Sequence, residues 1–226
     1  MNCAAFVDEH PTPMTTPNPM IPRRPFHPAI LAAILAGALA LNASAKQKGD
    51  IGTPKPEGKS VQQGDLWTVT GGGADIFGPS DQFHFVSSPA SGNCVLSAKI
   101  VSIGDASAQD WAKAALMIRA DESVGAPHAT ISISHAGTIA FLTRTTPGGD
   151  TRSEKVPGAS LPIFLRIERK GDDFTSSYSS DGKKWTMVGK TMTVPMKPAS
   201  IAGMAVTSHA DGNPCTAVFS NYVMRR

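Results

Sequence analysis

The chain has 226 residues, with 21 Lys+Arg against 18 Asp+Glu and a formal net charge of +3. A balance this mild excludes a strongly basic nucleic-acid-binding domain, and nucleic acid is not expected as a partner. The length suits one domain with a core of its own once the N-terminal segment is set aside.

That segment has its own logic. Residues 1–19, MNCAAFVDEHPTPMTTPNP, are rich in Pro and Thr and precede a signal-like stretch, so they read as a non-native leader with the true start at Met20. Residues 20–45 then carry Arg23 and Arg24, an apolar run from Ala29 to Leu41, and Ala43-Ser44-Ala45. That order is a secretory signal peptide cleaved near Ala45. The run is shorter than the ~20 residues a membrane-spanning helix needs, so no membrane span is expected in the mature chain. The expected location is secreted, periplasmic or extracellular. Removing 1–45 removes two basic and two acidic residues and leaves the net charge unchanged.

Residues 46–64 are polar with Pro and Gly and read as a flexible tail; the domain is expected over 65–226. After the tail come short alternating runs at 67–70, 82–86, 93–103, 112–119, 127–134 and 138–144. Others follow at 163–169, 173–179, 185–189, 201–208 and 216–224. Turn signals separate them, among them Pro147-Gly148-Gly149-Asp150, Asp181-Gly182 and Asp211-Gly212. Many short strands at this spacing predict an all-β sandwich or barrel. Asp181-Gly182 between two such runs predicts a tight type I′ hairpin, with Trp185 packed beneath it. Residues 106–117 carry a weaker helical pattern, but alternation continues to Arg119 and favours a strand.

Four stretches, GGGADIFGPSDQFHFV, WAKAALMIRADESVGAPHATISIS, FLRIERKGDDFTSSYSSDGKKWTMVG and GMAVTSHADGNPCTAVFSNYVM, follow one another in the chain. Together they resemble a bacterial domain-of-unknown-function family related to the yeast regulation-of-enolase protein. The most specific parts are the Ala-Asp-Ile-Phe-Gly loop, the Lys113 to Arg119 strand, and the Ser-Asp-Gly-Lys-Lys-Trp hairpin followed by Ala-Val-Thr-Ser-His. The family usually has Gly where Ala115 stands and a Trp near Phe77. The resemblance implies a concanavalin A-like jelly roll, a sandwich of two antiparallel sheets. Such domains often accompany secreted carbohydrate-processing proteins.

Cys94 and Cys215 remain in the mature chain and, in an oxidising compartment, are expected to form one disulfide. The alternative is two buried free thiols. No Glu-x-Asp-x-Glu occurs, and Glu154 and Glu168 are isolated. Hydrolysis by paired carboxylates is therefore not expected. No Gly-x-Ser-x-Gly occurs, and His84, His128, His135 and His209 do not cluster at zinc spacing. No cofactor is required. Asp75 and Asp81 are the loop acids a structural calcium would use; the plainer role is hydrogen bonding to backbone NH groups of the Gly-rich loop.

The strand WAKAALMIR divides in two. Leu116 and Ile118 face one way; Lys113, Ala115, Met117 and Arg119 face the other. If Ile131, Ile133, Ile139, Phe141, Leu165, Ile167, Met204 and Val206 also point inward within one sheet, its outer face collects cations. These are Lys113, Arg119, His128, Arg144, Arg166 and His209, with Glu168 the only acid. Such a face suits hydroxyl, carboxylate or sulfate groups, and it is also what an ordinary solvated antiparallel sheet looks like. Trp111 at its rim is the candidate stacking platform. The expected function is a secreted, non-catalytic module recognising carbohydrate or a similar polyhydroxylated or anionic ligand, through Trp111, Lys113, Arg119, His128, Arg144 and His209. The alternatives are an extracellular protein-interaction module and, less favoured, a glycoside hydrolase.

Overall fold

A computed structural model describes residues 47–105 and 107–226. The leader, the signal peptide and its cleavage site lie outside the described residues. The elements in chain order are β1 (Gln47–Ile51), β2 (Lys59–Gln63), β3 (Leu66–Gly71), β4 (Ile76–Phe77), β5 (Ser80–Asp81) and β6 (Phe83–Ser91). Then come β7 (Cys94–Ile103), β8 (Lys113–Arg119), β9 (His128–Ser134), β10 (Ile139–Arg144), β11 (Arg152–Val156) and β12 (Ile163–Lys170). Last are β13 (Asp173–Ser179), β14 (Thr186–Met187), β15 (Met192–Thr193), β16 (Ala199–Thr207) and β17 (Cys215–Arg225). No helix among the described residues is long and apolar enough to cross a membrane.

One sheet runs β1-β6-β16-β8-β9-β10-β11 and the other β14-β13-β12-β7-β17-β3-β2, with every pairing antiparallel. Between them lies the main core. The first sheet contributes Leu116, Ile118, Ile131, Ile133, Ile139, Phe141, Met204 and Val206; the second contributes Trp67, Leu96, Ile100, Leu165, Ile167 and Phe219. The inward residues expected from alternation are therefore the inward residues observed. Two-residue periodicity carries this information because successive side chains on a strand leave opposite faces.

The two sheets differ on their outer sides. β12 alternates buried and half-buried residues, as a sheet wetted on one side must. β8, β9 and β10 are buried at every position. A second layer covers them. Residues 72–82 fold back across this outer face and place Ile76 beside Phe83, Phe85, Met117, Ala140 and Leu142 in a second apolar cluster. The loop is closed at its neck by Gly73, at φ 102°, where an added Cβ would lie 2.4 Å from the Gln82 carbonyl oxygen. No L side chain fits there.

Several expectations are corrected. Within the segment read as a flexible tail, residues 47–64 are ordered on the sheets: β1 pairs with β6 and β2 with β3, so strand structure of the domain is present from 47 rather than 65. Ile51 is buried, and Asp50 ties the segment down by accepting from the Gly58 NH at 2.9 Å and meeting His84 Nδ1 at 2.6 Å. Cys94 and Cys215 are both buried free thiols. Their strands are neighbours, but antiparallel, with Ala217 opposite Ile103 and Arg225 opposite Val95. The two cysteines therefore stand at opposite ends of the pair, roughly 30 Å apart at about 3.3 Å per residue, far beyond the ~4.4–6.8 Å Cα separation a disulfide spans. The strand carrying Arg166 and Glu168 belongs to the other sheet, so neither residue joins the expected cationic face. Arg166 instead lies over the half-buried Trp185 ring, 4.3 Å from its centroid. The 179–185 connection is also longer than a two-residue turn. Gly182 alone is left-handed there, and the Asp181 carboxylate accepts from the NH groups of Lys183 and Lys184, both at 2.8 Å.

Candidate ligand-binding site

The residues singled out on the outer face divide into two groups at opposite ends of β8, about 20 Å apart over six residues of strand. Arg119, His128 and Arg144 form one group. Register places them side by side, Arg119 opposite His128 and His128 opposite Arg144. All three have 0% exposure, and so does Asp81. Arg144 grips Asp81 with both terminal nitrogens, at 2.6 and 2.8 Å, while Arg119 Nη1 reaches the same carboxylate at 3.3 Å. Most of the remaining guanidinium protons go to backbone carbonyls, and Arg119 Nη1 also donates to Met117 Sδ at 3.6 Å. Arg144 donates to Gly78, Ala126 and Gly149, and Arg119 donates to Asp121 and Ser123. This is an internal clamp that pins the covering loop to the sheet. The expectation that these three residues contact ligand is corrected: a ligand cannot reach them.

Burial pushes the Asp81 carboxyl up from its ordinary value, against the pull of Arg144 and Arg119. Burial likewise pushes the Arg119 guanidinium down to about 10, opposed by Asp81. His128 is held well below the ordinary histidine value by burial, with Arg144 and Arg119 adding repulsion. Its Nδ1 lies 3.0 Å from Thr130 Oγ1, and its Nε2 has no partner. The sign of the resulting pH dependence follows. The unfolded chain binds a proton on His128 below about pH 6.5 and the folded chain does not, so stability falls as pH falls through that value. Between pH 7 and 5 the His128→Gln protein is expected to show a shallower loss of denaturation free energy than the parent. The difference in slope approaches ~1.4 kcal/mol per pH unit at the acid end. Identical slopes would refute a neutral buried His128.

The second group borders an open cavity, with Trp111 exposed and Lys113 buried. Trp111, Lys113 and His209 surround a cavity of about 230 Å³ beside Asp75, with Phe77 of the loop as one wall. The cavity exists because the sheet is floored there by small residues. Ser134 stands opposite Lys113, and Ser132 and Ala140 stand opposite each other in the next row. Trp111 and Phe77, 41% and 45% exposed, rise at the rim. Lys113 Nζ donates to Asp75 Oδ1 and, at 3.1 Å, to the Trp111 carbonyl. His209, held in the left-handed region at φ 56°, brings Nε2 to 3.5 Å from Asp75 Oδ2. Burial pushes the Lys113 ammonium down, while Asp75 pulls it up. Lys155 on the edge strand β11 places its Nζ 4.7 Å from the Trp111 ring centroid.

The two loop aspartates expected to hold calcium are thus engaged by basic side chains of the chain itself, Asp81 by two arginines and Asp75 by Lys113 and His209. No group of three or more His, Cys, Asp or Glu that would hold a metal ion occurs among the described residues. Sequence reading missed Lys155, Phe77, Ser153 and Thr138. Lys155 lies in Arg-Ser-Glu-Lys-Val, which has no apolar face and so gives no strand signal. A signal did exist for the covering layer: Ala115, Met117 and Leu142 are apolar residues on a face otherwise read as wet.

No protein-family model matches the chain, and no curated protein matches it. Solved structures do. A functionally unknown protein from Saccharomyces cerevisiae superposes with a TM-score of 0.62 at 16% identity, over 80% of this chain and 95% of that one. The carbohydrate-binding module CBM66 from Bacillus subtilis gives 0.53 at 17% identity, over 79% of this chain and 95% of that one. The chain has a concanavalin A-like jelly-roll fold. A mutant of the GH43 protein BlXynB from Bacillus licheniformis gives 0.52 at 13% identity over 74% of this chain. The jelly roll spans only 37% of that larger protein. At these identities the likeness is one of fold, and function has to be argued from the site.

Proposed function

We propose that the chain is a secreted, non-catalytic carbohydrate-binding module, and that the cavity beside Trp111 holds a single sugar ring. The observation that carries this reading is the composition of the cavity wall. Exposed Trp111 and Phe77 offer apolar faces, while Ser132, Ser134, Thr138, Asp75 and Lys113 offer hydroxyl, carboxylate and ammonium groups. A sugar ring has apolar C–H faces and a rim of hydroxyls, and this wall matches both. The volume lies below the ~300–1,000 Å³ range of drug-sized sites, which favours one ring over a long chain. The fold shared with a carbohydrate-binding module is consistent with the reading. Among the described residues Asp75 is the only carboxylate lining the cavity, whereas glycoside hydrolysis uses two at about 5–10 Å. The signal-like segment at 20–45 supports export, and the motif resemblance supports kinship with the family related to the regulation-of-enolase protein.

The test is a glycan and polysaccharide array probed with the purified protein and with Trp111→Ala. The parent is expected to bind at least one glycan, and the variant to bind it about tenfold more weakly, equal to ~1.4 kcal/mol, with an unchanged melting temperature. An array without hits for the parent refutes the proposal. Undiminished binding by the variant removes Trp111 from the site.

A further inference from the structure

The cavity carries more positive charge than its own acid balances. Asp75 supplies one carboxylate, and Lys113 and His209 already contact it. Lys155 has no carboxylate partner among the described residues. Its sequence neighbour Glu154 points away, toward Gly189, where an added Cβ would lie 2.7 Å from the Glu154 side chain. Lys155 and Lys113 approach the same indole, at 4.7 and 6.0 Å from the Trp111 centroid. Each ammonium repels the other, and the charge on Lys155 adds to what holds Lys113 down. Ser153 Oγ, also in the cavity wall, is buried without a hydrogen-bond partner.

Resting on the carbohydrate reading, we propose that the sugar is anionic and that its charged group lies between Lys155 and Lys113 at the edge of Trp111. An anion there relieves the repulsion between the two ammoniums. Lys155 is exposed on a flexible stem, so it can yield the indole face to a ring and keep its charge at the ring's substituents. Lysine is a point charge that does not demand the planar fork geometry arginine matches, so a carboxylate and a sulfate ester both suit it. The shared chemistry is a singly charged oxyanion on a pyranose or furanose.

The experiment uses oligosaccharides matched in ring and linkage, each immobilised in neutral, carboxylated and sulfated form. They are titrated with the purified protein and with Lys155→Gln, at low and high salt. At least one anionic form is expected to bind about fivefold or more tightly than its neutral counterpart. That advantage should shrink with salt and disappear in Lys155→Gln. A preference for the carboxylate alone, or for the sulfate alone, supports the proposal and identifies the anion. Equal affinity for neutral and anionic forms overturns the charge selectivity and leaves the carbohydrate reading standing. An anionic preference that survives Lys155→Gln overturns the assignment to Lys155. Binding of none of the three forms removes both readings.

Discussion

Asp81→Ala is expected to cost about 3–5 kcal/mol of folding stability, because it leaves two fully buried guanidiniums without their counter-charge. For a domain of this size that is a fall of about 10 °C in melting temperature. Replacing a buried ion pair with apolar residues is often harmless, since the desolvation cost is removed with the charges. That escape is closed here. Arg144 also donates to the carbonyls of Gly78, Ala126 and Gly149, so a paired Asp81→Leu, Arg144→Met change strands those acceptors. The double variant is therefore expected to be no more stable than the single one. The loop that Asp81 anchors also carries Asp75 and Phe77, so ligand binding should weaken alongside stability. Denaturant titration of both variants is the measurement. A loss below about 1 kcal/mol for Asp81→Ala would show that the clamp does not hold the loop.

Phe83→Ala is expected to cost a similar ~3–5 kcal/mol, the range for truncating a fully buried aromatic. Phe83 does not belong to the core between the sheets. It sits in the outer cluster, edge-on to Phe85 at 5.5 Å between centroids, with the Arg119 guanidinium 5.2 Å from its ring. A large cost would establish that this second layer is as tightly packed as the first. Phe83→Leu, which keeps most of the volume, should cost less than about 1.5 kcal/mol. Near-equal stabilities for parent and Phe83→Ala, at an unchanged denaturant slope, would mean that residues 72–82 cover the sheet only loosely.

The two variants probe the point at which sequence reading and structure part. Alternation assigned each side chain of β8, β9, β10 and β16 to the correct face, because period two is a local property of extended backbone. Fold class followed from the same strands. The site was legible in part. Trp111, Lys113, His209 and Asp75 were all singled out and converge on one cavity, but as members of two separate candidate sites. Arg119, His128 and Arg144 were placed on the correct face and given the wrong role. Alternation says which side a residue leaves by and nothing about what waits there.

What waits there is long-range. The loop 72–82 covers β8 and β10 in a sheet ordered β16-β8-β9-β10, and Asp81 reaches Arg119 across 38 residues and Arg144 across 63. Likewise, the strands of Cys94 and Cys215 are neighbours, as a disulfide needs, but their antiparallel sense separates the thiols. Lys155 was invisible because an edge strand without an apolar face leaves no periodic trace. The residue sequence thus determined the positions of the strands that carry an apolar face, their inward side chains and the all-β class, since these depend on local backbone geometry and burial pattern. Tertiary structure alone decided which cations became an internal clamp and which remained at an open cavity, since that depends on which distant loop comes to lie over each end of the sheet.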